Sequence, residues 1–242
     1  MPRRPLDGVR ALVTDAEGTL GLFAIRALGR AGAQVTAVAQ GRRPERVMGF
    51  ASRFATRRHL LPRGPYGEVL VAAVETLAAE HDVLVPAAAP SIEAVAERAR
   101  ELGAKIRFHV PDIDAFRMAN DKAALTSLGA GLGIPVPATY EGVGIDTIDG
   151  WAGARLPLVV KFATDMSDRL PARERYRIVR TPEALVREFR RMHAQSPAVM
   201  VQEHVDGDGY ACSAMVDAGG TPVTTFCHRR IRENPMSGGP ST

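Results

Sequence analysis

The sequence is poor in cysteine, lysine and aromatic residues. It has two cysteines, three lysines beside 28 arginines, and 5% aromatic residues in 242 positions. Two cysteines are too few for the disulfide framework of a small secreted domain. No apolar run approaches the roughly 20 residues of a membrane-spanning helix, and the first residues lack the apolar segment of a secretory signal. We therefore expect a cytoplasmic protein with no membrane partner.

The scarcity of aromatic residues also argues against one class of anionic partner, nucleic acid. A net charge of +4 and an isoelectric point near 9.4 favour either phosphorylated small molecules or nucleic acid. Binding of single-stranded nucleic acid needs aromatic side chains between the cations, whereas the arginine pairs here are scattered. We rank nucleic-acid binding last. The six histidines show no metal-ligand spacing, so the sequence predicts no metal site from them.

Two of the three lysines stand where a nucleotide site would need them. Lys122 follows Asn120 and Asp121 at the start of a predicted helix, and Lys161 ends an apolar run over residues 156–160. In a chain that nearly always uses arginine, a retained lysine suggests a site that rejects the planar guanidinium group. A compact ammonium fits beside a phosphate oxygen. Two surface lysines placed there by chance explain these two residues equally well.

The first half of the chain alternates strand and helix patterns. Short apolar runs at residues 9–13, 35–39, 83–85 and 106–110 predict strands, and helical spacing of apolar residues separates them. The last of the helices is predicted from Ser91, as its N-cap, to Gly103. This alternation predicts a parallel sheet that is covered on both faces.

The first strand–helix turn, residues 14–21, holds Asp15 and Glu17 where a dinucleotide site would have spaced glycines. Two carboxylates there would repel a phosphate. We therefore predict a Rossmann-like sheet without the dinucleotide site, in which these carboxylates cap the following helix.

After Pro111 the pattern changes to separate helices and strands. A helix begins at Asn120 or Asp121, strands are predicted at residues 156–162, 176–180 and 199–205, and Thr181 caps a further helix. Two strands flanking Gly219-Gly220 predict a hairpin. Its turn places Cys212 opposite Cys227. In a reducing cytoplasm we expect two packed thiols, with a reactive pair as the alternative.

Residues 119–122 (Ala-Asn-Asp-Lys), followed by residues 132–139 (Leu-Gly-Ile-Pro-Val-Pro-Ala-Thr), resemble the ATP-grasp superfamily. The similarity is greatest to its carbamoyl-phosphate-synthase-like, carboxylate–amine ligase branch. Residues 156–161 are similar to the strand of the second nucleotide lysine, and residues 201–207 to the adenine hinge. The resemblance implies an α/β fold: a Rossmann-like parallel-sheet domain at 1–111, then an α+β ATP-grasp domain at 112–242 that is truncated at its C-terminal end.

The resemblance also implies roles for individual residues. ATP would be held by Lys122, Lys161, Gln202, Glu203, His204, Val205 and Asp208. Arg230 and Arg232 would be the catalytic cations, stabilising charge on the transferred phosphoryl group or on the substrate carboxylate. Residues 237–242 have the glycine and hydroxyl content of an oxyanion-binding loop; a flexible C-terminus is the equal alternative.

The implied reaction is ATP-dependent activation of a small carboxylate as an acyl phosphate, followed by attack of an amine. It uses Mg²⁺, whose ligands we expect beyond Thr242, so we expect the chain as given to bind nucleotide poorly and to catalyse little. Residues 163–175, where relatives have a glycine-rich lid, contain no glycine. The alternative is therefore a non-catalytic or degenerate ATP-binding module. The sequence names neither substrate and leaves the oligomeric state open, a homodimer included.

Overall fold

The structure is a computed structural model that describes residues 4–41, 43–140, 143–150, 155–164, 170–171, 174–217 and 219–232. The chain divides into two compact units, Met1–Arg117 and Met118–Thr242. The domain boundary expected from the sequence, between residues 111 and 112, stays a prediction. Among the helices of the described ranges, none combines the length and the apolar character that crossing a bilayer requires.

The first unit contains a four-stranded parallel sheet with strand order β3-β2-β1-β4. Its elements in chain order are β1 (Arg10–Val13), α1 (Thr19–Arg30), β2 (Gln34–Gln40), β3 (Ala55–Leu61), α2 (Tyr66–Leu77), β4 (Val83–Val85), α3 (Ala89–Glu97) and α4 (Ala99–Gly103), with 3₁₀ turns at Pro44–Arg46, Met48–Ala51 and Ala78–Glu80. Helix α5 (Ile113–Asn120) follows and runs across the division between the units.

The central strands are buried on both faces, which is why they read as continuous apolar runs. Alternate residues of β1 enter different cores: Leu12 packs with α2 and α3, whereas Ala11 and Val13 pack with α1. The Rossmann-like parallel sheet inferred from the alternating pattern is confirmed.

The sequence prediction lacks one strand of this unit, and two of its predicted elements differ from the structure. Strand β3 was not predicted, because its sequence, Ala-Thr-Arg-Arg-His-Leu-Leu, is mostly polar; it lies at the sheet edge, where Arg57 and Arg58 are exposed. The predicted strand at 106–110 forms only a single bridge, between Val83 and Arg107. The helix predicted from Ser91 to Gly103 is two helices, which separate at Arg98.

The carboxylates of the first turn do not cap α1, contrary to the prediction. Gly18 occupies the N-cap of α1, with no side-chain hydrogen bond. Asp15 instead accepts hydrogen bonds from the backbone amides of Ala87 (3.1 Å) and Ala88 (3.0 Å), which precede α3. The helix that Asp15 caps is therefore the one after β4, the neighbour of β1 in the sheet.

Asp15 is the centre of a buried polar network in this unit. Its carboxylate accepts hydrogen bonds from the hydroxyl groups of Thr14, Ser91 (2.5 Å) and Tyr66 (2.6 Å). Burial raises the pKa of Tyr66, and the charge of Asp15 adds to this shift. Asp15 also has φ of +56°, a left-handed conformation that Asp tolerates better than most residues. One side chain thus joins β1, α2 and α3.

The second unit contains an antiparallel sheet of order β5-β8-β6-β7 and a separate two-stranded sheet of β9 and β10. Its elements are α6 (Lys122–Gly131), β5 (Thr139–Tyr140), β6 (Leu158–Phe162), β7 (Tyr176–Val179), α7 (Pro182–His193), β8 (Val199–Glu203), β9 (Tyr210–Val216) and β10 (Pro222–Arg229), with a 3₁₀ turn at Ile148–Gly150. Thr181 caps α7 as predicted, accepting from the amide of Ala184 at 3.2 Å.

Helix α7 covers one face of the four-stranded sheet. Leu185, Phe189 and Met192 are buried on it and belong to one core with Leu158 and Val160 of β6. Because side chains alternate along a strand, Lys161 lies on the opposite face. The packing of α7 therefore decides which face of the sheet remains for a ligand.

The cysteine prediction is half correct. Cys212 lies directly opposite Cys227 in the hairpin register, as the Gly219-Gly220 turn predicted. The two residues form a disulfide, however, and not the expected pair of packed thiols. Their Cα atoms are 4.1 Å apart. Such a short separation is typical of opposed residues in an antiparallel pair that do not exchange backbone hydrogen bonds.

We predict that Asp15→Ala lowers the free energy of unfolding by about 3 kcal/mol, because it leaves several buried donors without an acceptor. Asp15→Asn should cost less, since an amide oxygen still accepts and Asn tolerates the left-handed conformation. Urea unfolding measures both. Asp114→Ala, at an exposed position of the same unit, is the control. An Asp15→Ala variant as stable as that control would contradict the assigned network.

Candidate functional site

The start of α6 is joined to the end of β6 through Lys122. Asp121 caps the helix, accepting from the amides of Ala123 (2.9 Å) and Ala124 (3.0 Å). The backbone amide of Lys122 donates to the carbonyl of Ala163 at 2.7 Å, and its Nζ donates to the carbonyl of Thr164 at 2.9 Å. The helix N-terminus, with its partial positive charge, is thereby held beside the strand that carries Lys161.

Lys161 is half-buried in the middle of the sheet, between Tyr176 on β7 and Met200 on β8. Burial lowers the pKa of Lys161, and the nearby charge of Lys122 lowers it further. The structure therefore brings together the two lysines that the sequence singled out. Two cations in a partly dehydrated place repel each other, and an anion bound between them would relieve this repulsion.

Because the folded protein holds the Lys161 proton less tightly than the unfolded chain does, this lysine opposes folding at low pH. That cost is relieved as the pH rises from the lowered pKa toward the ordinary value of 10.5. A stabilising ligand should act in the opposite direction and raise the pKa of Lys161.

Gln202 lies on the same face of the sheet as Lys161. It is paired with Val159, two residues before Lys161 on β6. It is buried, and its Nε2 donates to the hydroxyl of Thr139 on β5 at 2.7 Å. Strand alternation puts the side chain of Glu203 on the opposite face, toward Leu158. The amide of Glu203 donates to the carbonyl of Ala138 at 2.9 Å. Gln202 thus contributes its side chain to the lysine face, whereas Glu203 closes the end of the strand.

His204 and Val205 lie where β8 leaves the sheet. The backbone amide of His204 donates to the carbonyl of Pro157 at 3.3 Å. The imidazole Nδ1 of His204 is 3.3 Å from a carboxylate oxygen of Asp206. Val205 is 63% exposed. This segment offers backbone groups to a ligand beyond the end of the strand.

The remaining site residues lie at the base of the β9–β10 hairpin. Asp208 forms an ion pair with Arg229 at 2.9 Å, and both side chains are more than half exposed. The amide of Arg230 donates to the carbonyl of Gly209 at 2.7 Å, and Arg232 is exposed. The hairpin forms its own sheet, distinct from the one that carries Lys161.

Sequence reasoning missed two of these contacts. The carbonyl of Thr164, which accepts from Lys122, carries no signal in the sequence because every residue has a backbone carbonyl. The pairing of Asp208 with Arg229 does have a signal: the hairpin register places Arg229 opposite Tyr210, two residues after Asp208.

Two expected parts of the site lie outside the described residues: positions 165–169, 172 and 173 of the glycine-free segment, and the loop at residues 237–242. Within the described ranges, no group of three or more His, Cys, Asp and Glu residues could hold a metal ion. The described residues therefore do not fit a magnesium site, and we assign no step to a metal.

Comparisons with solved structures identify the fold. The biotin carboxylase domain dimer of the Hydrogenobacter thermophilus 2-oxoglutarate carboxylase, in complex with MgADP, ADP and bicarbonate, matches 83% of this chain with a TM-score of 0.61 and 17% identity. A pyruvate carboxylase variant from Rhizobium etli, with acetyl coenzyme A, matches 90% at 0.64 and 16%. The D-alanine–D-alanine ligase of Coxiella burnetii matches 87% at 0.57 and 14%. The chain shares its fold with these enzymes, and the biotin carboxylases and D-alanine–D-alanine ligases among them are ATP-grasp enzymes.

The ATP-grasp resemblance and the fold class inferred from the sequence are thus confirmed. The chain spans only part of these proteins: 45% of the Hydrogenobacter domain, 20% of the Rhizobium enzyme and 65% of the Coxiella ligase. No family model matches the sequence, and no curated protein matches it. At 14–17% identity the likeness establishes the fold alone and leaves the roles of individual residues as predictions.

The two-lysine arrangement predicts a specific titration. With only three lysines in the chain, ¹³C-labelled lysine side chains give an NMR spectrum in which each Cε signal can be followed over pH. We expect Lys161 to titrate below 10.5, and Lys122→Ala to raise its pKa without fully restoring it, since burial is the larger cause. Lys105→Ala, in the other unit, is the control. An unchanged Lys161 titration in Lys122→Ala would contradict the proximity of the two charges.

Proposed function

We propose that the second unit binds ATP, with its phosphates between Lys122 and Lys161. The observation that carries the proposal is geometric: the backbone amide and Nζ of Lys122, at the N-terminus of α6, donate to the carbonyls of Ala163 and Thr164, which follow Lys161 at the end of β6. The lowered pKa of Lys161, which burial causes and the charge of Lys122 increases, agrees with this arrangement. A polyphosphate supplies the negative charge that this arrangement favours. The ATP-grasp fold supports ATP over other anions, and the Hydrogenobacter structure contains ADP.

The adenine ring would lie at the end of β8. Since the side chain of Glu203 lies on the other face, we assign the acceptor for the adenine amino group to the Glu203 backbone carbonyl. The backbone of His204 and Val205 would meet the ring edge, and Gln202 would lie beneath the ring on the lysine face. Asp208 would contact the ribose hydroxyls, sharing its carboxylate with Arg229.

The reaction that this fold supports is ATP-dependent joining of a small carboxylate and an amine. A carboxylate oxygen attacks the terminal phosphorus of ATP and releases ADP; the amine then attacks the acyl carbon and releases phosphate. Arg230 and Arg232 would stabilise the charge that develops on the phosphoryl group or the carboxylate. The chain contributes position and charge, with no covalent nucleophile required.

A non-catalytic ATP-binding module is the second candidate. One observation favours it: residues 163–175, where relatives have a glycine-rich lid, contain no glycine. Binding and catalysis therefore need separate tests.

The binding proposal predicts that ATP stabilises the protein and that both lysines are required. At 100 times its Kd, ATP should add about 2.7 kcal/mol to the free energy of unfolding. Lys122→Ala and Lys161→Ala should each weaken binding roughly 10- to 100-fold, because each loses a charged hydrogen bond. Lys161→Arg should also weaken binding although it keeps the charge, since the guanidinium is wider and planar. Isothermal titration calorimetry and thermal unfolding measure these effects.

The control is the variant Lys105→Ala. In the parent protein, Lys105 forms an ion pair with Glu75 at 2.5 Å in the first unit. The variant should bind ATP as the parent protein does. Equal ATP affinity in Lys105→Ala, Lys122→Ala and Lys161→Ala would overturn the site assignment, whatever the fold.

Phosphate release distinguishes the two candidates. If the chain is an active ligase, ADP and phosphate should appear from MgATP only when a carboxylate and an amine are both present, and Arg230→Ala should abolish release while retaining ATP binding. If the chain is a binding module, ATP should bind and remain intact with every substrate pair of a broad carboxylate and amine panel.

A further inference from the structure

The β9–β10 hairpin stands apart from the four-stranded sheet of its unit and forms a sheet of two strands. Nearly all of its residues are exposed, on both faces. Its large apolar side chains share this exposure: Tyr210, Met215, Val216, Val223 and Phe226 are 45–68% accessible. A two-stranded hairpin with no covered face is marginally stable by itself. Another constraint must therefore contribute to its order.

The Cys212–Cys227 disulfide supplies this constraint. It crosses the hairpin between directly opposed residues that are 15 positions apart in the sequence. A cross-link over this separation lowers the open population of a chain segment by about two orders of magnitude. Both cysteines are exposed, so a thiol in solution can reach the sulfur atoms.

The base of the hairpin coincides with the end of the proposed nucleotide site. Asp208 pairs with Arg229, and the carbonyl of Gly209 accepts from the amide of Arg230. These two contacts join the segment after Val205 to the last residues of β10. Opening of the hairpin would break both contacts. Asp208 and Arg230 would then no longer be held in place by them.

We propose that Cys212–Cys227 is a thiol-exchange site through which a reducing dithiol controls the order of the hairpin and the affinity of the adjoining nucleotide site. The part that concerns nucleotide affinity rests on the proposed ATP-binding function. A thiolate of the reductant attacks one sulfur and forms a mixed disulfide, releasing the other cysteine as a thiolate. The second thiol of the reductant then displaces the first cysteine. The disulfide gains two electrons and two protons, and the dithiol becomes a disulfide.

The test compares the oxidised and the dithiothreitol-reduced 242-residue protein under native conditions. Maleimide labelling should find no free thiol before reduction and two after it. Amide hydrogen exchange in β9 and β10 should accelerate on the order of 100-fold upon reduction, whereas exchange in β6 and α7 should stay unchanged. The ATP affinity should fall at least threefold in the reduced protein and recover on reoxidation.

A variant without the disulfide separates redox control from other effects of the reductant. Cys212→Thr with Cys227→Thr keeps β-branched residues of high strand propensity at both positions. It should show fast hairpin exchange and weakened ATP binding at all times, with no response to dithiothreitol. A serine pair is the second variant and should behave in the same way.

Each outcome decides a separate part of the proposal. If native dithiothreitol exposes no thiols, or if reduction leaves hairpin exchange unchanged, the redox proposal is wrong, whether or not ATP binds. If hairpin exchange accelerates while ATP affinity stays constant, control of the nucleotide site is wrong. If the oxidised protein binds no ATP, the proposed function fails, and labelling with hydrogen exchange still tests the reduction of the hairpin.

Discussion

The attachment of Lys122 to the end of the strand that carries Lys161 is the constraint on which the functional interpretation of this protein depends. Lys161 is half-buried on β6, and Lys122 stands at the first turn of α6. Without a ligand, the repulsion between the two lysines and the dehydration of Lys161 both lower the free energy of unfolding. The contacts of Lys122 with Ala163 and Thr164 maintain the arrangement. Preorganised positive charge at a helix N-terminus is what an anionic ligand requires.

In the first unit, the corresponding charge is negative and not positive. Its sheet is Rossmann-like, but Asp15 lies just after the carboxyl end of β1, beside β4. The strand order reverses between these two strands, and a parallel sheet usually binds its ligand at such a point. Here the carboxylate of the chain itself accepts from the amides before α3. A phosphate would meet a negative charge at that place. The chain therefore combines a parallel sheet that has an internal anion with an antiparallel sheet that presents two cations.

The hairpin adds a third element with a different source of stability. The two main sheets are covered by helices, whereas β9 and β10 depend on their ladder and on one disulfide. The hairpin also carries Arg230, the residue to which the ligase proposal assigns charge stabilisation. The exposed, disulfide-linked hairpin thus adjoins the residues that are assigned to the proposed chemistry.

The sequence by itself determined the elements whose physics is local. Thr181 before Pro182 fixed the start of α7, Gly219-Gly220 fixed the hairpin register, and the scarcity of lysine pointed to Lys122 and Lys161. Caps, tight turns and residue choice depend on neighbours along the chain, which a sequence displays.

Tertiary structure alone decided what depends on distant partners. Strand β3 forms because its backbone pairs with β2, even though its side chains are polar. Asp15 caps α3 and not α1 because β1 and β4 are adjacent in the sheet. The face of the sheet on which Glu203 lies likewise depends on which face α7 covers, since Leu158, opposite Glu203, belongs to the core with α7. These features arise from contacts between residues far apart in the chain, for which the local pattern carries no signal.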